Sequence, residues 1–367
     1  MYNWQLKNFP NFTFDKSEIQ PIIEDFALAL GEANGLLLGF SEATKQEIFI
    51  EIMLVEALKT SEIEGEFFSR EEVMSSLKLN LGIKDFHQTT KNNKANAIAQ
   101  LMIEVQNTYS KPLDEALLLH WHELLMNSEK GINAGQYRAG TEPMQVISGS
   151  FGNFRVHYEA PPSKDLPNLM KAFLDWYQNF SKKELGKIGE AMLLSAITHL
   201  YFETLHPFED GNGRIGRALA EKAVAEKLDL PIFISLSKAI EKNKAQYYSE
   251  LKKAQRDLQI TDWIIYFFNI LSEAVTDTKA VVLFTLKKTK FFEKFKNDLN
   301  ERQLKAITKM MNQGEKGFQG GMTAKKYMAI NKTSKATATR DLQQLAESNA
   351  FLKIGAGRSI AYQLHLE

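Results

Sequence analysis

Residues 206–217 read HPFEDGNGRIGR. Within them GNGRIG satisfies G-x-G-x-x-G, the pattern of a dinucleotide-binding turn, which needs a strand ahead of the glycines and an acidic residue closing the second strand ~20 residues later. The segment before it, GEAMLLSAITHLYFETL, places Leu193, Ile197, Leu200 and Tyr201 at helical spacing. Asp229 has the right separation but precedes the apolar run 230–234 instead of ending it. Context therefore excludes a Rossmann turn. The glycines still point to phosphate: Gly211, Asn212 and Gly213 open a helix, where successive backbone N–H groups and the positive end of the helix dipole form an anion nest. Arg214 and Arg217, three apart in that helix, can grip oxygens from one side. Asp210 stands where a carboxylate facing polyphosphate serves as a ligand of Mg²⁺, and His206 supplies an imidazole that can act as a general base. Base, metal ligand, nest and two cationic clamps in one string are the parts of a nucleotidyl or phosphoryl transfer site.

The rest of the chain sets the frame. At 367 residues and 44% hydrophobic, it can bury a substantial core and fill two or three domains. No charged segment followed by an apolar run opens MYNWQLKNFPNF, and no run reaches the ~18 apolar residues of a membrane span, so a cytoplasmic protein without a membrane partner is expected. The absence of cysteine excludes disulfides, thiolate metal sites and a cysteine nucleophile. Net charge is zero, but residues 297–367 carry eleven Lys/Arg against six Asp/Glu, the asymmetry of a separate C-terminal module with its own partner or of a solvated basic face.

Residues 1–15 read as an arm whose Trp4, Phe9, Phe12 and Phe14 pack onto a neighbour. Apolar spacing of three and four through 17–57 indicates a helical hairpin, with a helix over about 45–64 stopped at Gly65. Helical spacing returns at 96–107 and 113–126. GINAGQYRAGTEPMQVISGSFGNFRVHYEAPPSKD is glycine-rich with alternating runs around GSFGN, a β-hairpin signature. Helices are expected at about 165–180, 184–204, 214–228, 238–258 and 261–276. A charged linker, 281–296, then leads to three short helices and a hairpin around Gly355-Ala-Gly357, the order of a winged helix-turn-helix. The expected domains are an N-terminal region 1–110, a helical core 111–280 and a small domain 297–367, in a mainly α protein. His120 and His122 lie two apart on a helix and share no face, which argues against a metal pair. His199 is expected to pack behind the 206–217 loop.

At 206–217 the sequence resembles the Fic family, whose motif is H-x-F-x-[DE]-G-N-G-R-x-x-R, and the likeness extends over about 113–276 through GQYR and the hairpin. The resemblance implies a helical Fic core with a β-hairpin flap, and transfer of AMP from ATP to a Ser, Thr or Tyr hydroxyl of a target protein or of the chain itself. It implies His206 as the base, Phe208 as the loop's anchor, Asp210 as the Mg²⁺ ligand, Gly211, Asn212 and Gly213 as the cradle, Arg214 at the β-phosphate and Arg217 at the γ-phosphate. By the same likeness the hairpin 146–158 registers an extended target segment, and Asn243, Tyr247, Tyr248 and Gln255 line the nucleoside pocket. TSEIEG, residues 60–65, matches [ST]-x-x-x-E-[GN], the inhibitory helix that one Fic subgroup carries ahead of the core. Glu64, supported by Thr60 and Gly65, would pair with Arg217 and take the place of the γ-phosphate. In relatives that glutamate also serves the removal of AMP, and other relatives move phosphate or phosphocholine; the intact second arginine favours ordinary ATP orientation. A competing expectation is a nucleotide-sensing DNA-binding regulator. Its recognition helix would be 333–349, with Lys335 and Arg340, and its wing 355–358; the C-terminal domain could instead dock a protein target. A homodimer is compatible with either.

Overall fold

The computed structural model describes residues 1–83, 92–150, 153–231, 234–314 and 317–366. It divides into two compact units, Met1–Gly35 with Lys45–Thr278, and Leu36–Thr44 with Lys279–Glu367.

The first unit is helical around one core. Its arm turns through a 3-10 helix at Asn3–Gln5, and Phe9 and Phe12 meet Tyr201 edge-on at 5.2 and 6.0 Å, as its aromatic spacing led us to expect. There follow α1 (Lys16–Leu38), α2 (Glu42–Ile63), α3 (Arg70–Asn80), α4 (Asn93–Asn107) and α5 (Glu115–Met126). Gly65 stops the chain beyond α2 at φ +82°, a conformation that a side chain would oppose. Apolar spacing does not reveal α3, although its start is written in SREE: Ser69 accepts from the Glu72 N–H while the Glu72 carboxylate accepts from the Ser69 N–H.

The antiparallel strands β1 (Gln145–Ser150) and β2 (Asn153–Glu159) form the expected hairpin, with a register shift between Val146 and Ile147; its central residues 151–152 lie outside the described residues. After α6 (Leu166–Gln178) comes α7 (Gly186–Leu205), buried on nearly every side. Antiparallel to it runs α8 (Asn212–Leu228), joined by the 206–211 loop. The single helix expected over 238–258 is two, α9 (Leu236–Lys242) and α10 (Lys244–Ala254). Asn243 leaves helical geometry at φ −141°, ψ 59° and its carbonyl Oδ1 caps the Gln246 N–H, so it both ends α9 and starts α10. The helix expected to close at Thr276 is α11 (Thr261–Phe295), which belongs to the second unit from Lys279 onward. Its apolar positions Val281, Val282, Phe291 and Phe295 are buried, which is why the stretch 281–296 read as a linker is helical almost throughout.

The second unit continues with α12 (Glu301–Met311), α13 (Ala324–Asn331), α14 (Lys335–Glu347) and the hairpin β3 (Phe351–Ile354) and β4 (Ala361–Leu364), in the order anticipated. Asp341 joins these helices, accepting from Arg302 Nε at 2.9 Å and from the Tyr327 hydroxyl at 2.9 Å. Among the described residues no helix is long and apolar enough to cross a membrane.

Candidate active site

The site is built where α7 hands over to α8. His206 ends α7 in the left-handed region, φ 46° and ψ 58°, and Gly211 precedes α8 at φ 81°. A non-glycine residue held there is strained and persists only where its surroundings enforce it. The enforcing residue is Arg138. Its Nε donates to the His206 carbonyl at 2.8 Å, its Nη2 to the Pro161 and Leu205 carbonyls at 2.6 and 3.3 Å, and its Nη1 to Ser163 Oγ at 2.8 Å. Its own N–H donates to the Pro207 carbonyl. Buried among neutral acceptors, its guanidinium is pulled down to about 10.

The other side of the loop is held by stacking, by a bridging imidazole and by one closed ring of hydrogen bonds. Phe208 is fully buried and lies parallel to His122 at 3.8 Å between ring centres. His122 accepts the Gly135 N–H at Nδ1, so Nε2 carries the proton and donates to the Asp210 carbonyl at 3.2 Å. Burial drives this imidazole down to about 4, which keeps it neutral. Asn212 uses its side chain on Phe208, donating to the carbonyl and accepting from the N–H, both at 2.9 Å. What Asn212 and Gly213 leave facing outward is backbone, the first-turn N–H groups that no helical carbonyl reaches.

Over that nest stands a carboxylate. A Cβ at Gly213 would overlap Glu64 Oε1, and the same oxygen accepts from Arg217 Nη2 at 2.8 Å. Arg217, 1% exposed, also donates from Nε to Thr60 Oγ1 at 2.8 Å and from Nη2 to the Thr60 carbonyl at 3.0 Å. Burial works against its charge, but Glu64, Tyr247 and Glu56 together outweigh it and the guanidinium is held protonated more firmly than usual. Glu56 and Thr60 lie on one stripe of α2, and Glu64, one residue past its end, continues their spacing of four. Along it Glu56 meets Ser235 and Ser237 and shares a hydrogen bond with Glu221 of α8, one turn beyond Arg217. Burial raises both carboxyls, Glu221 far above the ordinary range.

The pairing of Arg214 was not foreseen. Its Nη1 donates to Glu66 Oε2 at 2.8 Å, while Nη2 lies 3.4 Å from Asp210 Oδ1. Glu66 is in turn paired with Lys94. The turn after α2 thus places one carboxylate on each motif arginine.

A cavity of about 440 Å³ opens beside these groups, the size of a small-molecule site. His206, Glu203, Gly213, Arg217 and Glu64 line it, together with Tyr247, Tyr248, Gln255 and the hairpin residues Val146, Ile147, His157 and Tyr158. Asn243 is not among the lining residues and is occupied as the cap between α9 and α10. Asp210 stands at the exposed edge, its side chain 59% accessible. No cluster of three or more metal-binding side chains exists among the described residues.

The comparisons bear on the same segment. Residues 112–224 match the Fic/DOC family. Residues 2–83 match a domain of unknown function, DUF4172. A probable protein adenylyltransferase of Aquifex aeolicus is 28% identical over 219 residues, 56% of this chain and 59% of that one. The protein adenylyltransferase Fic of Nematostella vectensis is 27% identical over 150 residues, 41% of this chain and 30% of that one. The chain therefore spans three-fifths or less of the length of these curated relatives. In fold it is similar to a Fic family protein from Desulfovibrio desulfuricans, with a TM-score of 0.54 at 19% identity over 97% of this chain and 98% of that one. It is also similar to Caenorhabditis elegans Fic-1, with a TM-score of 0.51 at 18% identity over 75% and 74%.

Proposed function

We propose that this chain is a protein adenylyltransferase whose resting state is closed by its own glutamate. It would move AMP from ATP to a Ser, Thr or Tyr hydroxyl of a protein segment laid along the hairpin. The observation that carries the restraint is the seat of Glu64 Oε1, on Arg217 and above Gly213. A carboxylate there fills the place where an anion nest and a guanidinium would hold a terminal phosphate.

With Glu64 displaced, the first-turn N–H groups of α8 and the two arginines bind the polyphosphate and hold the α-phosphorus before His206. His206 takes the proton of the attacking hydroxyl, the new O–P bond forms, and pyrophosphate leaves with the electrons of the broken bond. Most of the acceleration comes from positioning and charge neutralisation. Asp210 suits Mg²⁺, which commonly takes one carboxylate and completes its shell with substrate phosphates and water; when bound, that ion neutralises phosphate charge. Val146, Ile147 and Val156 are apolar and exposed on the hairpin, as a strand-addition surface requires. Tyr247, Tyr248 and Gln255 supply the wall for the nucleoside.

Labelled ATP with Mg²⁺ tests this. Weak labelling of the wild-type chain is expected, increased by Glu64→Gly and abolished by His206→Ala. Absence of AMP on any protein, in lysate as well as in pure Glu64→Gly, would overturn it.

A second reading concerns the C-terminal unit alone. Lys335 and Arg340 are exposed on α14, next in sequence to the β3–β4 hairpin, as a winged helix requires of its recognition element. Duplex binding that weakens steeply with salt and disappears on deletion of 297–367 is the expected result; binding that survives the deletion would exclude it.

A further inference from the structure

Glu203 lies one helical turn before His206, 6% exposed, with an oxygen that nothing satisfies. Its Oε1 has no hydrogen-bond partner, and neither does His206 Nδ1, although both are buried. Glu203 Oε2 and His206 Nδ1 face each other at 3.7 Å, just beyond hydrogen-bonding range. Unsatisfied buried polar atoms are costly, so one on each of two neighbouring side chains calls for a cause. The carboxylate's room is kept by Gly216, where a Cβ would stand 2.6 Å from Glu203 Oε1. That is the last glycine of GNGRIG, the one with no part in the anion nest. Burial pushes the Glu203 carboxyl up, but His206, His199 and Arg217 outweigh it and keep it ionised.

We propose that Glu203 is the positioning residue of His206: it accepts a hydrogen bond from Nδ1–H, fixes the ring's tautomer, and leaves Nε2 bare to receive the target hydroxyl's proton. This rests on the adenylyl-transfer reading for its consequence, but not for its geometry. As the hydroxyl oxygen bonds to the α-phosphorus and pyrophosphate departs, the hydroxyl proton moves to Nε2. The ring becomes a cation, and Glu203 stabilises it without taking a proton, the division of labour of carboxylate-oriented histidine bases. The gap of 3.7 Å fits a site that tightens when loaded, since catalytic hydrogen bonds are commonly long in the empty enzyme. His199, whose Nδ1 is likewise without a partner on this side of Gly216, is pushed toward its neutral form by burial and is tied through Nε2, 2.8 Å from the Tyr247 hydroxyl.

Two measurements test the assignment. In the Glu64→Gly background, Glu203→Gln should lower kcat for AMP transfer about tenfold or more, part of the ~10²–10⁴-fold that a placed base contributes. KM for ATP should change by less than about twofold. In the full-length wild-type chain labelled with ¹⁵N-histidine, the His206 signals, assigned by their loss in His206→Ala, should show the neutral ring protonated at Nδ1, and Glu203→Gln should erode that preference. An unchanged kcat, a loss expressed in KM alone, or a wild-type ring protonated at Nε2 would overturn the proposal. The last outcome decides even if Glu203→Gln does not fold. Were no variant to transfer AMP, the enzyme reading would fall while the tautomer still judged Glu203.

Discussion

Arg138 spends a buried guanidinium on four carbonyl and hydroxyl oxygens and no carboxylate, so its role is to hold the backbone of the His206 turn. Arg138→Ala leaves those acceptors unpaired, and we expect a loss of about 2–4 kcal/mol in urea unfolding. AMP transfer by the Glu64→Gly form should fall with it, because His206 no longer has a reason to stay at φ 46°. A stability within about 0.5 kcal/mol of wild type would show that the turn is held by Phe208 and Asn212 alone.

How much could be read beforehand follows from locality. The 206–217 string carries its parts in consecutive residues, so backbone connectivity alone brings them together. Glu64 was visible only through the likeness of TSEIEG to a family element. Glu66 on Arg214, Arg138 on His206 and Glu203 beside Gly216 had no such handle, because each depends on which helices pack and in which rotation. His199 was expected to pack and hydrogen-bond, and it does so through Tyr247. Asn243 shows the converse: spacing along a helical run does not reveal that its side chain caps the Gln246 N–H between α9 and α10.

The α2–α8 contact joins two such features, and it yields two expectations. Glu66→Ala frees Arg214 from one carboxylate, so labelling by wild-type Glu64 protein should rise modestly, and by less than with Glu64→Gly; unchanged labelling would mean that the Glu66 pair is a surface contact without regulatory weight. Glu56 and Glu221 give the contact a pH dependence. Their folded-state pKa values lie above the unfolded 4.5, so their contribution is full below 4.5 and is lost as pH rises toward the folded values. The slope for one retained proton is about 1.4 kcal/mol per pH unit. Glu221→Gln can accept the Leu236 N–H and donate to Glu56 with no proton to lose. Its urea midpoint should hold as pH rises above about 4.5, where that of wild type declines; parallel curves would refute the shared proton.

Each unit closes its own core. Among the described residues, no buried member of the first core lies beyond Val275, and none of the second lies before Phe291. Removal of 297–367 from the Glu64→Gly chain is therefore expected to leave His206-dependent labelling intact in a gel assay, and loss of labelling would show that the second unit is required for catalysis.

The arm at the start of the chain carries a practical consequence. Tyr2 meets Tyr158 edge-on at 4.9 Å, and the Asn3 N–H donates to the Gln255 carbonyl at 2.8 Å; Tyr158 and Gln255 both line the cavity. A segment fused ahead of Met1 would be tethered at the cavity's rim, where a short flexible leash gives its hydroxyls an effective concentration in the millimolar range. On the adenylyl-transfer proposal, a serine-bearing tag placed there would be a built-in substrate, and the labelling it collected would report on the tether before it reported on any target.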